Sequence, residues 1–204
     1  MPINGSFERE YQSSSNYWGD KPSSVILRSQ ESLVPGSVLD IGAGDGRNSL
    51  YLASQGFTVH ALDVSRTGLK NLQKRARSNN LSHAVTTTVA DFLTYTPTRT
   101  YDNIITNFTI HFIGAHNIQS FVQKMMDTTN PSGVNVIDDF TKNGPINHPP
   151  EDFIDQHTIG DMYLSQGWEI ISSERRQVQT KKYETPGKPY VHEALGFVAK
   201  KPEL

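Results

Sequence analysis

Residues 38–48 read Val-Leu-Asp-Ile-Gly-Ala-Gly-Asp-Gly-Arg-Asn, a hydrophobic strand that passes through Asp40 and runs straight into a turn with glycines at 42, 44 and 46. Such a strand-to-helix turn lets a ligand lie against bare backbone, because no Cβ blocks the approach and positive φ carries no steric penalty. It suits a nucleotide-like cofactor. The Asp40 carboxylate disfavours a pyrophosphate at this place and welcomes a cationic amino-acid group.

Outward from the turn, strand and helix alternate. Before it, Pro22 opens a short helix carrying Val25, Ile26 and Ser29, and Pro35-Gly36 breaks the chain ahead of the first strand. After it, a helix over 48–55 stops at Gly56, a strand over 57–64 holds Asp63, and Ser65 caps a helix carrying Leu69, Leu72 and Ala76. Strands follow at 85–90 and 101–108, then a helix around Ile118, Phe121, Val122, Met125 and Met126, and Pro131-Ser-Gly133 turns into a strand over 134–138. A last helix near Ile159 and Tyr163 precedes two strands, 168–178 and 190–199, joined around Pro186-Gly187 as a hairpin. One domain over residues 1–204 is expected, with residues 1–16 as a loose arm. The balance of 19 basic and 21 acidic residues gives a net charge of −2 with no basic cluster, which disfavours a nucleic-acid partner. With no cysteine, disulfides, thiolate metal sites and cysteine nucleophiles are excluded. No apolar run approaches the ~20 residues of a membrane span, and no signal pattern opens the chain, so a cytoplasmic protein is expected.

The companions of the turn choose its ligand. Arg47 stands where a dinucleotide fingerprint needs its last small residue, which argues against NAD. Asp63, about 20 positions downstream, can accept both hydroxyls of a ribose. Asp91-Phe92, after the third strand, can receive an adenine amino group on the carboxylate and offer a backbone N–H to a ring nitrogen. Together with Asp40 these point to S-adenosylmethionine. Over residues 17–200 the chain resembles the class I S-adenosylmethionine-dependent methyltransferases, through residues 40–46, Asp63, Asp91-Phe92 and Pro131-Ser-Gly133. More narrowly, Tyr17-Trp18 with Pro22-Ser23, the run Gly46-Arg-Asn-Ser-Leu-Tyr-Leu-Ala53 and Gly187-Lys-Pro-Tyr-Val-His192 resemble the tellurite-resistance, TehB-like members. The resemblance implies a three-layer Rossmann-like α/β fold of about seven strands, mostly parallel with a C-terminal antiparallel hairpin. It also implies that Gly42, Ala43 and Gly44 hold the methionine part of the cofactor, that Asp63 binds ribose and Val64 packs on adenine. Asn107 would lie beside the methionine ammonium; Arg47 and Asn48, which open the helix, complete the expected cofactor set. The Asn/Asp-Pro-Pro-Tyr/Phe motif of base-amino methyltransferases is replaced by Asn107-Phe-Thr-Ile110.

Methyl transfer needs chiefly an acceptor held in line in a dry pocket, and a base where the acceptor carries a proton. His111, after the fourth strand, and His192, in the last hairpin, are the candidate catalytic residues. His60 and His83 are expected to be structural, and no histidine spacing supports a metal. Asp138 and Asp139 are expected to be solvated or capping, and Arg175-Arg176 and Lys181-Lys182 to form a solvated face. Tyr17 with Trp18 can close over the cofactor or simply anchor the arm, and the TehB-like resemblance favours closure over the cofactor. The expected function is methyl transfer from S-adenosylmethionine to a small molecule such as a tellurium or selenium oxyanion, a thiol or a carboxylate. An NAD(P)-dependent reductase and a non-catalytic S-adenosylmethionine-binding domain are the alternatives.

Overall fold

The computed structural model describes residues 7–143, 153–185 and 188–203, with the side chains of 180–185 and 188–190 outside the description. Seven strands form one sheet: β1 Ser37–Ile41, β2 Thr58–Asp63, β3 Val85–Val89, β4 Tyr101–Asn107, β5 Thr129–Phe140, β6 Glu169–Thr185 and β7 Lys188–Lys200. Their spatial order is β3-β2-β1-β4-β5-β7-β6. β1 pairs in parallel with β2 and β4, β2 with β3, and β4 with β5, whereas β7 runs antiparallel to both β5 and β6. The strand order reverses between β1 and β4, so the crevice for a ligand opens at their carboxyl ends. The mostly parallel α/β sheet with a C-terminal antiparallel hairpin is the expected architecture, although the Pro186-Gly187 turn itself lies outside the described residues.

Alternation along the strands divides the core. Val38, Val59, Ala61, Ile105, Val136 and Val198 face α2 (Ser24–Ser29), α3 (Arg47–Ser54) and α4 (Arg66–Ser78). Leu39, Ile41, Leu62, Ile104, Ile137 and Phe197 face the opposite layer, with α5 (Ala115–Thr128) and α6 (Gln156–Leu164). Near-continuous apolar strands are what a sheet covered on both sides requires. The helix ends follow local chemistry. Ser65 accepts the Gly68 N–H at 2.9 Å and caps α4, and Asp155 accepts from His157 and Thr158 and caps α6. On α4, Leu69, Leu72 and Ala76 form the buried stripe; each leucine contributes about 1.5–3 kcal/mol of burial.

Three expectations change. Residues 8–13 of the arm expected to be loose form a helix, α1 (Glu8–Ser13), with Tyr11 buried. Six residues are too few to hold a helix by themselves; α1 is kept in place from α4, where the Asn71 amide donates to the Tyr11 carbonyl at 2.8 Å. Between β3 and β4 the described chain has no helix: residues 90–100 make turns pinned by the Lys124 ammonium, which donates to the carbonyl of Phe92 at 2.6 Å. Finally, Pro131-Ser-Gly133 is a bulge inside β5 rather than a turn before it, for the pairing slips between Tyr101↔Thr129 and Asn103↔Val134, with Ser132 at φ +62°.

The entry to α3 depends on Gly46, whose φ of +89° places it in the left-handed region and whose Cβ would come 2.2 Å from Leu72 Cδ1. Gly46→Ala is therefore expected to cost about 2 kcal/mol or more, read as a lowered midpoint in urea denaturation with an unchanged slope.

Candidate functional site

The turn after β1 and the turn after β2 are tied by one carboxylate. Asp63 accepts the N–H of Gly44 on Oδ2 and that of Ser65 on Oδ1, both at 2.7 Å, while Gly42 N–H and Ala43 N–H donate to the Leu62 carbonyl at 2.8 and 3.1 Å. Side chains of the protein lie close against the turn: a Cβ on Gly42 would meet Thr109 Oγ1 at 2.0 Å, and one on Gly44 would meet the Tyr11 hydroxyl at 2.4 Å. Thr109 thus brings the loop after β4 against the turn, and Tyr11 brings α1.

Three acids surround this backbone. Asp40 is buried on the α3 side of β1, where it accepts from the Ser49 hydroxyl at 2.5 Å; burial, with some repulsion from Asp63, pushes its pKa up to about 7. Burial also raises Asp63 and Asp45 above the ordinary carboxylate range. Asp45, fully buried within the glycine turn, accepts the Trp18 N–H at 3.1 Å and lies 3.8 Å from Arg75, which also donates to the Asp45 carbonyl at 2.7 Å. That residue was not singled out from the sequence; a charged residue between two turn glycines, with no apolar function available to it, was its only local sign.

The entering segment lies over the turn. Trp18 Nε1–H donates to the Tyr11 hydroxyl at 2.9 Å, the Tyr17 and Trp18 rings meet edge to face at 4.8 Å, and Phe7 stands 5.3 Å from Trp18. Glu8 accepts from the hydroxyls of Ser65 and Thr67. So Tyr17 and Trp18 are at the candidate site, joined there by Glu8 and Tyr11, which the irregular composition of the arm concealed.

At the ends of β4 and β5 the side chains divide between the two faces of the sheet. On the α3 side, Arg47 donates to Asn107 Oδ1 at 2.7 Å, Asn107 donates to Asp138 Oδ2 at 2.7 Å, and Arg176 donates to the same oxygen at 2.7 Å. Burial lifts Asp138 to about 6 although Arg176 opposes the shift. On the opposite face Asp139 accepts from His111 Nδ1 at 2.6 Å. At the strand end Phe140, which alternation returns to the Asp138 face together with His192 of β7, stands 4.9 Å from the His111 ring and 5.1 Å from the His192 ring. Asp138 and Asp139 are therefore buried groups, not solvated ones, and Arg176, half-buried, pairs with Asp138 instead of standing in a solvated face. Asp139 accepts from His111 and from the backbone N–H groups of Thr109, Ile110 and Phe140, whereas Asp138, with donors only on Oδ2, keeps part of its desolvation cost.

The remaining candidates separate. Asn48 is buried and its Oδ1 accepts the Ser23 N–H at 2.9 Å, so its side chain fastens α2 instead of facing the crevice. The Phe92 ring is core, edge to face with Phe121 at 5.0 Å, which leaves only its backbone for a ligand. Asp91 Oδ1 accepts the Leu93 N–H at 2.9 Å, and Val64 keeps an exposed side chain at the end of β2. His60 bridges Tyr101 and Thr88 at 2.6 and 2.7 Å and is structural, and His83 is exposed. Among the described residues no three His, Asp or Glu side chains group as metal ligands, and no helix is long and apolar enough to cross a membrane.

The raised Asp40 gives a sign. Its folded pKa lies above the unfolded one, so the stability it contributes is full below about pH 4 and is lost as pH rises through about 7. Asp40→Asn is expected to flatten the fall in urea midpoint between pH 5 and pH 8, measured on the ligand-free protein.

Curated relatives match part of the chain. The probable S-adenosyl-L-methionine-dependent methyltransferase TehB of Haemophilus influenzae (strain 10810) is 29% identical over 112 residues, 55% of this chain and 38% of that protein. The ubiquinone biosynthesis O-methyltransferase of Rickettsia akari is 28% identical over 101 residues, 49% of this chain and 38% of that one. The chain spans less than two fifths of the length of each. The crystal structure of TehB from Haemophilus influenzae shares the fold, with a TM-score of 0.77 at 23% identity over 87% of this chain and 61% of that one. The family model of the tellurite resistance protein TehB matches residues 8–188, and the chain belongs to that family.

Proposed function

We propose that the chain binds S-adenosylmethionine at the turn of residues 42–46 and transfers its methyl group to a small-molecule acceptor. The observation that carries this is the set of three acids around the turn, Asp40 and Asp45 buried and Asp63 half-buried, each with its pKa raised by burial. A pyrophosphate there would meet like charge, whereas a sulfonium with an ammonium group would relieve the mutual repulsion of the carboxylates. The residues fit the cofactor by this chemistry and not a dinucleotide. When bound, S-adenosylmethionine supplies a methyl group already activated on positive sulfur.

The chain's own residues do the holding. Asp63 has spare lone pairs for two ribose hydroxyls, since each of its oxygens accepts one N–H from the protein. Gly42, Ala43 and Gly44 line the methionine end; Arg47 and Asn107, already joined, reach the same end with a guanidinium suited to its carboxylate. Val64 and Asp91, with the backbone of Phe92, border adenine. Tyr17, Trp18 and Tyr11 exclude water above the turn, which strengthens every charge interaction beneath them. His111 and His192, about Phe140, face the acceptor. The names of both relatives, a TehB methyltransferase and an O-methyltransferase, support transfer to a small molecule, and tellurite enters as a candidate acceptor through the family name.

Calorimetry tests the reading. Saturable binding of S-adenosylhomocysteine is expected, weakened at least tenfold in Asp63→Ala while the far-ultraviolet circular dichroism is retained. Absence of binding by the unaltered protein overturns it, and binding with no turnover on any of selenite, tellurite, thiols, carboxylates or phenols would favour the non-catalytic alternative.

A further inference from the structure

His111 and Asp139 come from different segments, the short 3-10 turn after β4 and the end of β5, and meet at 2.6 Å between Nδ1 and Oδ1. The carboxylate is fully buried and its other contacts are all donors. Oδ2 accepts the N–H groups of Thr109 and Ile110 at 2.8 and 2.6 Å, and Oδ1 accepts the N–H of Phe140 at 2.7 Å. A group so surrounded can only accept from the imidazole. In the neutral ring the hydrogen therefore sits on Nδ1 and the basic lone pair on Nε2. Two of the backbone donors, Thr109 and Ile110, come just before His111, so the same carboxylate that selects the tautomer also shapes the loop that carries the ring.

The surroundings of His111 are aromatic. Its ring lies 3.9 Å from Phe112 and 4.9 Å from Phe140, and Phe140 in turn stacks with Phe108 at 4.5 Å. Two residues before His111, Thr109 abuts Gly42 of the turn. A small oxyanion would find few donors among these rings, whereas a flat apolar body would be at home there. We infer that His111, oriented by Asp139, takes the proton from the hydroxyl of an aromatic acceptor, and that Asp139 is a positioning residue. This rests on the proposed methyl transfer and narrows its acceptor. The hydroxyl O–H bond breaks as its proton moves to Nε2. The oxygen pair forms the new bond to the methyl carbon, and the pair of the broken carbon–sulfur bond stays on sulfur, which becomes a neutral thioether. His111 then releases the proton to water, so charge and atoms balance without a further reactant.

Nitrogen-15 resonances of the histidine rings test the pair without turnover. The expected result for the unaltered protein, read at a pH where the ring is neutral, is hydrogen on Nδ1. In Asp139→Asn, the two N–H donors on the Oδ2 side retain the amide oxygen, so the NH₂ faces Nδ1 and should move the ring hydrogen to Nε2. Hydrogen on Nε2 in the unaltered protein, or no change of tautomer in a folded Asp139→Asn, overturns the role of Asp139. In protein loaded with S-adenosylhomocysteine, adding phenol, catechol and 4-hydroxybenzoate should shift the His111 resonances saturably and leave those of His83 in place; no shift with any of them overturns the acceptor class. His111→Gln is expected to lower methyl transfer to whichever of these phenols is used by about 100-fold, with S-adenosylhomocysteine affinity held within about twofold; an unchanged rate overturns the base. If S-adenosylhomocysteine does not bind at all, it is the methyl-transfer reading that fails, while the tautomer of His111 is still measured on the free protein.

Discussion

The carboxylate of Asp63 receives the amide hydrogens of Gly44 and Ser65, and through them it joins the turn after β1 to the turn after β2. Much of the site hangs on this bridge. The turn after β2 is also where Ser65 caps α4 and where Glu8 of α1 is held, so the position of the entering helix over the glycine turn is referred to the same carboxylate. The cost is a buried negative charge beside Asp40 and Asp45, and the raised pKa values of all three record it. A fold that tolerates three acids around one stretch of backbone is poised for a cation there, because only opposite charge recovers what desolvation takes away.

The glycine turn, Asp63 and the alternation of strand and helix were legible in the chain because each is a local pattern: a spacing, a cap, a period. Arg47 was read as an obstacle to a dinucleotide, and in the structure it bonds to Asn107 at the neighbouring strand end. What stayed hidden was written in no single window. Asp139 and His111 are separated by 28 residues, and Asp138 and Arg176 by 38. A pair of acids at a strand end is most often solvated, and only the pairing of β5 between β4 and β7 turns these two inward to opposite faces. The arm misled for a similar reason. With its short run of polar residues α1 has little propensity of its own, and it exists by virtue of what it covers.

The two faces at the end of β5 also divide the chemistry. The face toward α3 carries guanidinium, amide and carboxylate groups in one chain from Arg47 to Arg176, and on the face toward α5 the Asp139 carboxylate holds the His111 imidazole. One residue's step along the strand changes the partners from a guanidinium and an amide side chain to an imidazole and backbone N–H groups, as side-chain alternation dictates.

Arg176 reaches Asp138 from the outermost strand, β6, past Gly196 of β7, whose missing side chain leaves the guanidinium room: a Cβ there would lie 3.4 Å from Nη1 and 2.7 Å from Val25 Cγ2. An edge strand is ordinarily the first part of a sheet to fray. Here fraying of β6 near Arg176 would strip a buried carboxylate of its counterion, so local opening carries an electrostatic cost in addition to the lost ladder bonds. Amide hydrogens around Arg176 should accordingly exchange with solvent as slowly as those of an inner strand, and the boundary between the sheet's loose margin and its cooperative unit lies farther out than strand order alone would set it.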